Sequence, residues 1–193
     1  KEFWLHYGVG KNPAFLSLKR NYGQDDPIDN FVRALYNEGD EESIKMAKSI
    51  SAKQRFFSPV LVRGEEEKGV RIWGYGKMVY EQLLNLVLNP EYGDITDVES
   101  GTDLTLQYGK PAGAQFPVTN LTPRRKSSGL SKDTDTTTEL LESIPNIEES
   151  FDKKSFDEMQ TILDNFMNVG DDSAGTSQYG GNAIDDALSD LDS

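Results

Sequence analysis

The chain has 193 residues, of which 36% are hydrophobic, and a formal net charge of −13. This length suffices for one domain with a real core. There is no run of about 18 apolar residues that would predict a membrane span, and no signal-peptide pattern at the start. With no cysteine and one histidine, disulfides and thiolate zinc sites are excluded.

The acidic excess is confined to the last third of the chain. Residues 1–126 contain 17 Lys+Arg and 17 Asp+Glu, whereas residues 127–193 contain 3 and 16. The sequence therefore describes a neutral body with an acidic extension. It begins at Lys1 rather than at an initiator Met, which indicates an incomplete amino end.

The first 55 residues predict two strands followed by a helical lobe. Short strands are expected at residues 3–7 and 14–18, connected by a turn that contains glycine and proline. Helices are expected over about residues 25–53. There Asp26 and Pro27 form a typical helix start, and apolar residues recur at helical spacing.

The middle of the chain predicts a hairpin and a helix. Strands are expected at residues 56–62 and 70–75, with Arg71, Trp73 and Tyr75 on one face of the second. An amphipathic helix over residues 77–88 is expected to end at Asn89. Further strands are expected at residues 103–108 and 115–118.

The rest of the chain is increasingly polar. Residues 119–138 predict a mobile basic loop, and residues 151–167 predict a helix with one apolar side. From residue 170 the composition predicts disorder. The last residues alternate acids with aliphatics, a pattern that binds a partner as a short helix or mimics DNA.

No motif predicts an enzyme. The pair Gly76-Lys77 has Arg71, not glycine, where a phosphate-binding loop requires glycine. A calcium loop beginning at Asp133 would need glycine at position 138 and glutamate at 144, where threonine and isoleucine stand. We therefore predict that the chain is not catalytic.

Aromatic and basic residues occur together in two places. Single-stranded nucleic acid is bound by positive charge along the phosphates and by exposed rings that stack on bases. The strand at 70–75 offers both kinds of side chain, as does the segment Lys53, Arg55, Phe56 and Phe57. The same rings are equally typical of a strand core, so the residues alone leave both interpretations open.

Three stretches resemble a known family. Residues 56–62 and 70–80, the latter reading Val-Arg-Ile-Trp-Gly-Tyr-Gly-Lys-Met-Val-Tyr, are similar to the central hairpin and following helix of the single-stranded DNA-binding (helix-destabilising) protein of T-even-type bacteriophages. The segment Ile144-Pro145-Asn146-Ile147 is similar to one that follows the family's DNA-binding core. The acidic end resembles the family's carboxyl-terminal tail.

The resemblance implies an α+β, mainly β fold with an OB-fold-like core, helical inserts and a disordered acidic tail. The expected divisions are a core over 1–142, a linker and helix over 143–169, and a tail over 170–193. The implied function is sequence-nonspecific binding of single-stranded DNA in phage replication, recombination and repair, in the cytoplasm of the infected bacterial host. The alternative is a scaffold that recruits partners through its acidic tail without binding DNA.

The resemblance also implies site residues. The expected DNA contacts are Tyr36, Lys53, Arg55, Phe56, Phe57, Arg71, Trp73, Tyr75, Lys77, Arg124, Arg125 and Lys126. The expected contacts of the tail with replication and recombination proteins are Asp185, Asp186, Leu188, Asp190, Leu191 and Asp192.

Two departures from the family alter these expectations. Its best-known members hold zinc with one histidine and three cysteines, two of them in a Cys-Pro-x-Cys turn that reads Asp26-Pro27-Ile28-Asp29 here. We therefore expect no zinc and no other cofactor, with the proline-capped helix stabilising this lobe. The family's basic amino-terminal segment is absent from the sequence, so weak cooperativity and a largely monomeric chain are expected.

Overall fold

The computed structural model describes residues 1–171. Their elements are β1 (Glu2–His6), β2 (Phe15–Leu16), α1 (Leu18–Tyr22), α2 (Pro27–Glu38), α3 (Glu41–Ile50), β3 (Lys53–Val60), β4 (Arg71–Tyr75), α4 (Lys77–Leu88), β5 (Leu104–Gly109), β6 (Val118–Pro123), α5 (Thr134–Glu142) and α6 (Phe156–Asp171). Short 3-10 helices lie at Glu66–Lys68 and Glu148–Ser150. β1 pairs with β2, β3 with β4 and β5 with β6, all antiparallel.

The described residues form a mixed α/β structure, which agrees with the α+β part of the expected fold. Helical residues outnumber strand residues in this part of the chain, so the expectation of a mainly β protein was wrong. The elements do not by themselves define an OB fold, which stays a prediction. The predicted disorder and partner contacts of the tail fall mostly on residues 172–193, outside the described residues.

Capping side chains explain where several helices begin. Asp26 caps α2 by accepting hydrogen bonds from the backbone N–H groups of Ile28 and Asp29, with Pro27 in the first turn. Ser155 and Glu158 form a reciprocal capping box at the start of α6. The helix predicted over 151–167 therefore begins later, at Phe156.

Two further predictions about the elements were wrong. The strand predicted at 14–18 is limited to Phe15–Leu16, because Ser17 caps α1 and turns the chain into a helix. The predicted mobile loop over 119–138 contains most of β6, which pairs with β5 along its whole length, and the first residues of α5. α5 begins there because Asp133 accepts a hydrogen bond from the N–H of Thr136.

The chain divides into two compact units. One, here called the helical unit, contains residues 2–55 and, at the other end of the described chain, residues 147–171. The other, here called the hairpin unit, contains residue 1 and residues 56–146. Which segments form functional domains, predicted as 1–142, 143–169 and 170–193, stays a prediction.

The helical unit has its own apolar core. Side chains from β2, α1, α2, α3 and α6 meet in a cluster that includes Phe15, Leu18, Ile28, Ile50 and Met159, the last three fully buried. Met159 lies on α6, so α6 is part of this core. Its buried apolar surface stabilises the unit by roughly 25 cal/mol per Å². It is not a separate extension.

Side-chain hydrogen bonds connect the strands and loops of the hairpin unit. The side-chain amide of Gln82 on α4 donates to the carbonyl of Thr119 and accepts from the N–H of Leu121, so it pairs with β6 much as a neighbouring strand would. Arg63 binds both carboxylate oxygens of Asp103 and also donates to two backbone carbonyls, those of Gly129 and Leu130. These contacts fix the loops around the two strand pairs.

None of the helices in residues 1–171 is both long and apolar enough to cross a lipid bilayer.

Candidate nucleic-acid interface

The register of β3 and β4 determines which side chains share a face. Phe56 lies opposite Tyr75, Ser58 opposite Trp73 and Val60 opposite Arg71. Directly opposed residues of an antiparallel pair project to the same side of the sheet. The register therefore places Arg71, Trp73 and Tyr75 on one face, as the alternation in the sequence predicted.

Four aromatic rings gather at one end of this face. The ring centroids of Phe56 and Tyr80 are 4.0 Å apart with an interplanar angle of 6°, and Phe56 lies 6.2 Å from Tyr75. The Trp73 ring is 4.6 Å from Tyr75. The hydroxyl of Tyr75 is 2.7 Å from that of Ser58. We call Phe56, Trp73, Tyr75 and Tyr80 the ring cluster.

The rings of this cluster differ in exposure. Phe56 and Tyr75 are 7% and 8% exposed and, together with Val79, form the buried part of an apolar core. Tyr80 is 37% exposed, and Trp73 is half-buried at the edge of the same core. Two rings are thus enclosed, and two retain accessible surface on which a base could stack.

Tyr80 has no obvious signal in the sequence. It lies within an amphipathic helix, where an aromatic residue is typical of a core face. What brings it to the ring cluster is the short distance along the chain from Tyr75 through the cap Gly76 into the first turn of α4. In the sequence this contact corresponds only to an aromatic residue one helical turn after an aromatic strand, which many core helices also show.

Phe57 lies on the opposite face from the ring cluster. A methyl group added at Gly74 would lie 2.8 Å from Cε1 of Phe57, so glycine is needed for this ring to cover the strand. The sequence groups Phe56 with Phe57, but strand alternation separates them. The structure does not bring Phe57 together with Trp73 and Tyr80.

The cations beside the ring cluster have carboxylate partners. Nη2 of Arg71 lies 2.6 Å from Oε2 of Glu65, and both side chains are about 40% exposed. Hydrogen bonds from Lys68 and from Arg71 lower the pKa of Glu65 below its ordinary value. Lys77 lies 3.7 Å from Glu81. Exposed pairs of this kind contribute little to stability, so a phosphate can replace the carboxylate at small cost.

The basic run Arg124, Arg125 and Lys126 follows the end of β6. All three residues are exposed, and the N–H of Arg124 donates to the carbonyl of Asp103. Among the ion pairs formed within residues 1–171, none involves these three side chains. They offer positive charge within the hairpin unit.

The remaining predicted DNA contacts belong to the helical unit. Tyr36 is 46% exposed on α2, and Nζ of Lys53 donates to the carbonyl of Lys48. The guanidinium of Arg55 lies 5.9 Å from the ring centre of Tyr7. Burial raises the pKa of the Tyr7 hydroxyl, and the charge of Arg55 and its hydrogen bond oppose this change.

The helical unit contains two further pairs of a cation and a ring. The guanidinium of Arg20 lies 5.1 Å from the ring centre of Trp4, and Nζ of Lys153 lies 4.0 Å from that of Tyr22. Such pairs stabilise by roughly 0.5–1 kcal/mol at exposed sites. These contacts give the two rings partners outside the apolar core of the unit.

One group of side chains within residues 1–171 is compact enough to surround a metal ion. It consists of His6, Asp26 and Asp29, each of which has a nitrogen or carboxylate oxygen within 4.8 Å of the others. These atoms are already engaged by hydrogen bonds from within the protein. The group therefore acts as a structural element in this chain.

A protein-family model matches most of the chain. The model of a family described as "gp32 DNA binding protein like" matches residues 11–170. No curated protein and no solved structure matches the chain.

Proposed function

Because the chain belongs to the gp32-like family of DNA-binding proteins, we propose that it binds single-stranded DNA without reading its sequence and that it is not an enzyme. The observation that carries this proposal beyond family membership is the ring cluster. Trp73 and Tyr80 keep accessible surface on the same face as Arg71. Every base has a π-face, so stacking of this kind tolerates any sequence.

The buried members of the ring cluster have a supporting role in this proposal. Phe56 stacks against Tyr80, and Tyr75 packs beside Trp73 and binds Ser58. A ring that is held in place loses little conformational freedom when a base stacks on it. Phe56 and Tyr75 therefore act on DNA through Tyr80 and Trp73.

Phosphate contacts in this proposal come from exposed cations. Arg71 exchanges Glu65 for a phosphate, and Arg124, Arg125 and Lys126 contribute charge from the end of β6. Each neutralised phosphate of a single strand changes the slope of log K against log salt by roughly −0.7. The proposal therefore predicts binding that weakens steeply as salt rises.

A more specific biological role is suggested by the resemblance of the sequence to the single-stranded DNA-binding protein of T-even-type phages. We propose that an OB-fold-like core clamps the strand during phage replication, recombination and repair, in the cytoplasm of the infected bacterium. Lys53, Arg55 and Tyr36 would extend the contact within the helical unit. Tyr36 supports this because its ring is exposed on α2. Arg55 adds a half-buried positive charge beside the half-buried ring of Tyr7.

The acidic tail is proposed to compete with DNA and to contact replication and recombination proteins. Removing residues 172–193, which follow α6, should tighten binding to an oligonucleotide because a competing polyanion is lost. In a full-length control variant, Asp185, Asp186, Asp190 and Asp192 are changed to Asn. This variant distinguishes the effect of the tail's charge on DNA binding from the effect of its length. Unchanged or weaker binding in both chains would contradict tail competition.

The test of the main proposal is a binding titration of the full chain with labelled oligothymidine and with a duplex of the same length. Preference for the single strand, together with affinity that falls with salt, is the expected result. If neither DNA binds at low salt, the proposal fails. The alternative is then a scaffold that recruits protein partners through its acidic tail.

A further inference from the structure

A fully buried polar centre lies at the junction of four elements of the helical unit. His6 ends β1, Ser17 caps α1 and Asp26 caps α2, and all three are 0% exposed. His6 also contacts the carbonyl of Ile50 at the end of α3. Buried polar groups destabilise a fold unless they are hydrogen-bonded, so the partners of each atom matter.

Both oxygens of Asp26 are fully used. Oδ1 accepts the N–H groups of Ile28 and Asp29, at 3.0 and 3.1 Å. Oδ2 accepts the N–H of Leu18 at 2.8 Å and lies 2.9 Å from Oγ of Ser17 and 3.2 Å from Nε2 of His6. The carboxylate thus caps α2 and at the same time binds the first residue of α1.

The hydrogen-bond partners determine where the hydrogens of His6 lie. Nδ1 is 3.0 Å from the carbonyl oxygen of Ile50, which can only accept. Nε2 is 3.2 Å from Oδ2 of Asp26, and an ionised carboxylate also only accepts. Both contacts are satisfied at once only when both ring nitrogens carry hydrogen, which makes His6 a cation.

Ser17 links a second carboxylate to the centre. Its Oγ is 2.9 Å from Oδ2 of Asp29 as well as from Oδ2 of Asp26, and it accepts the N–H of Arg20 at 3.1 Å. The single hydroxyl hydrogen can serve one carboxylate at a time. Asp26 and Asp29 are the titratable groups that face His6 through this network.

A zinc ion does not fit these residues. Zinc would need a lone pair on Nε2 of His6 at about 2.0–2.1 Å, together with oxygen lone pairs of Asp26 that now receive N–H and O–H groups. Structural zinc sites are built mainly from cysteine and histidine, and the chain has no cysteine. Binding a metal would thus break the cap of α1 and the contact between His6 and Asp26.

We infer that the helical unit is organised by a metal-free charged centre. The centre consists of the imidazolium of His6, the carboxylate of Asp26 and the hydroxyl of Ser17. It occupies the place where the resemblance implies zinc. One positive and one negative charge neutralise each other away from water, and the polar atoms around them find partners. The centre ties β1, α1, α2 and α3 together.

The chain has a single histidine, so the imidazole signals in the nitrogen NMR spectrum of ¹⁵N-labelled protein come from His6 alone. At neutral pH the proposal predicts two ring nitrogens that both carry hydrogen, with no change on addition of Zn²⁺. A neutral ring with one bare nitrogen would overturn the charged centre. Stoichiometric zinc binding through Nε2 would overturn the claim that the centre is metal-free.

Thermal unfolding of the full chain tests the structural role. Asp26→Asn should lower the melting temperature by on the order of 10 °C, because breaking a buried ion pair leaves an uncompensated charge. Its matched control is Asp25→Asn at the neighbouring exposed position. Within residues 1–171 the Asp25 carboxylate accepts a hydrogen bond from the Asn30 side chain alone, so little change is expected. Equal changes in melting temperature for the two variants would contradict a structural role of the charged centre.

Native protein treated with a chelator and then supplied with Zn²⁺ should keep the same melting temperature. A rise on adding Zn²⁺ alone would overturn the inference even if Asp26→Asn does not fold, because this measurement needs only the native chain.

Discussion

The two units use chemically active side chains in opposite ways. In the helical unit, His6, Ser17 and Asp26 are completely buried, and each has partners inside the protein. In the hairpin unit, the ring cluster buries Phe56 and Tyr75 but leaves part of Trp73 and Tyr80 accessible.

This comparison shows that residue type alone does not identify a functional site. Histidine and aspartate are typical catalytic and metal-binding residues, yet here they stabilise a junction of helices. Tryptophan and tyrosine are typical core residues, yet here two of them remain available to a ligand. The two groups differ in accessible surface: the buried polar residues have their hydrogen-bonding atoms occupied inside the protein, whereas the two rings keep surface that a ligand can contact.

The largest expected effect is on the core of the helical unit. Met159 is fully buried in that core, so Met159→Ala should lower the free energy of unfolding by roughly 2–5 kcal/mol. Met167→Ala is the control, because Met167 is 46% exposed on the same helix. The measurement is urea unfolding followed by circular dichroism, and equal losses for the two variants would show that α6 does not pack as described.

The polar centre should also make stability depend on pH. Burial raises the pKa of Asp26, but the hydrogen bond and charge of His6 and the hydrogen bonds of Asp29 and Ser17 outweigh it and lower the pKa from 3.8 to about 2. A carboxyl group whose pKa is lowered by folding stabilises the fold above its unfolded pKa. Its contribution is therefore complete above about pH 4 and disappears as pH falls towards 2.

Melting temperatures between pH 2 and pH 6 check this prediction. Several exposed carboxylates, such as Asp40 and Asp133, also have lowered pKa values, so the informative quantity is the difference between the native chain and Asp26→Asn. That difference should shrink as the pH falls below 4. A difference that stays constant down to pH 2 would mean that Asp26 is not ionised in the folded chain.

A smaller effect is expected at the ring cluster. Trp73→Ala should weaken binding of oligothymidine by roughly 1–3 kcal/mol through the loss of one stacked base, while circular dichroism stays unchanged. Trp73→Phe keeps a ring and should retain part of the affinity. If Trp73→Ala unfolds the hairpin unit, Trp73 belongs to the core like Tyr75, and the contrast between the two units fails.

The smallest effect is expected from freeing a cation. Glu65→Gln removes the partner of Arg71 and should tighten DNA binding a few-fold at low salt, since exposed ion pairs are weak. Glu67→Gln makes the same change of charge two residues away, outside the pair with Arg71. Equal tightening in both variants would mean that only net charge matters and that Arg71 has no special role.

Much of the fold could be predicted from local signals. The helix over residues 77–88 begins and ends where predicted, because Gly76 and Asn89 bound an uninterrupted apolar pattern. α2 was predictable from its Asp-Pro start. β6 was not, because it is polar and takes its hydrogen bonds from β5. α5 was missed although Asp133 provides a local cap, because its first residues are all polar and give no apolar helical pattern.

The candidate site was predictable only in part. Alternation along β4 correctly placed Arg71, Trp73 and Tyr75 on one face, but it could not show that Tyr75 is enclosed and Trp73 is not. That difference arises from α4 and β6, which contribute Val79, Leu83 and Leu121 around the rings. Exposure within a shared face is a property of tertiary packing, and no pattern in a single strand encodes it.

The most direct test of the central claim uses the two tryptophans of the chain. In a Trp4→Phe variant, Trp73 is the only fluorescent indole, so quenching by oligothymidine reports on the ring cluster alone. We expect saturable quenching that weakens as salt rises. Oligothymidine that binds without changing Trp73 fluorescence would contradict the claim that this half-buried ring stacks on a base.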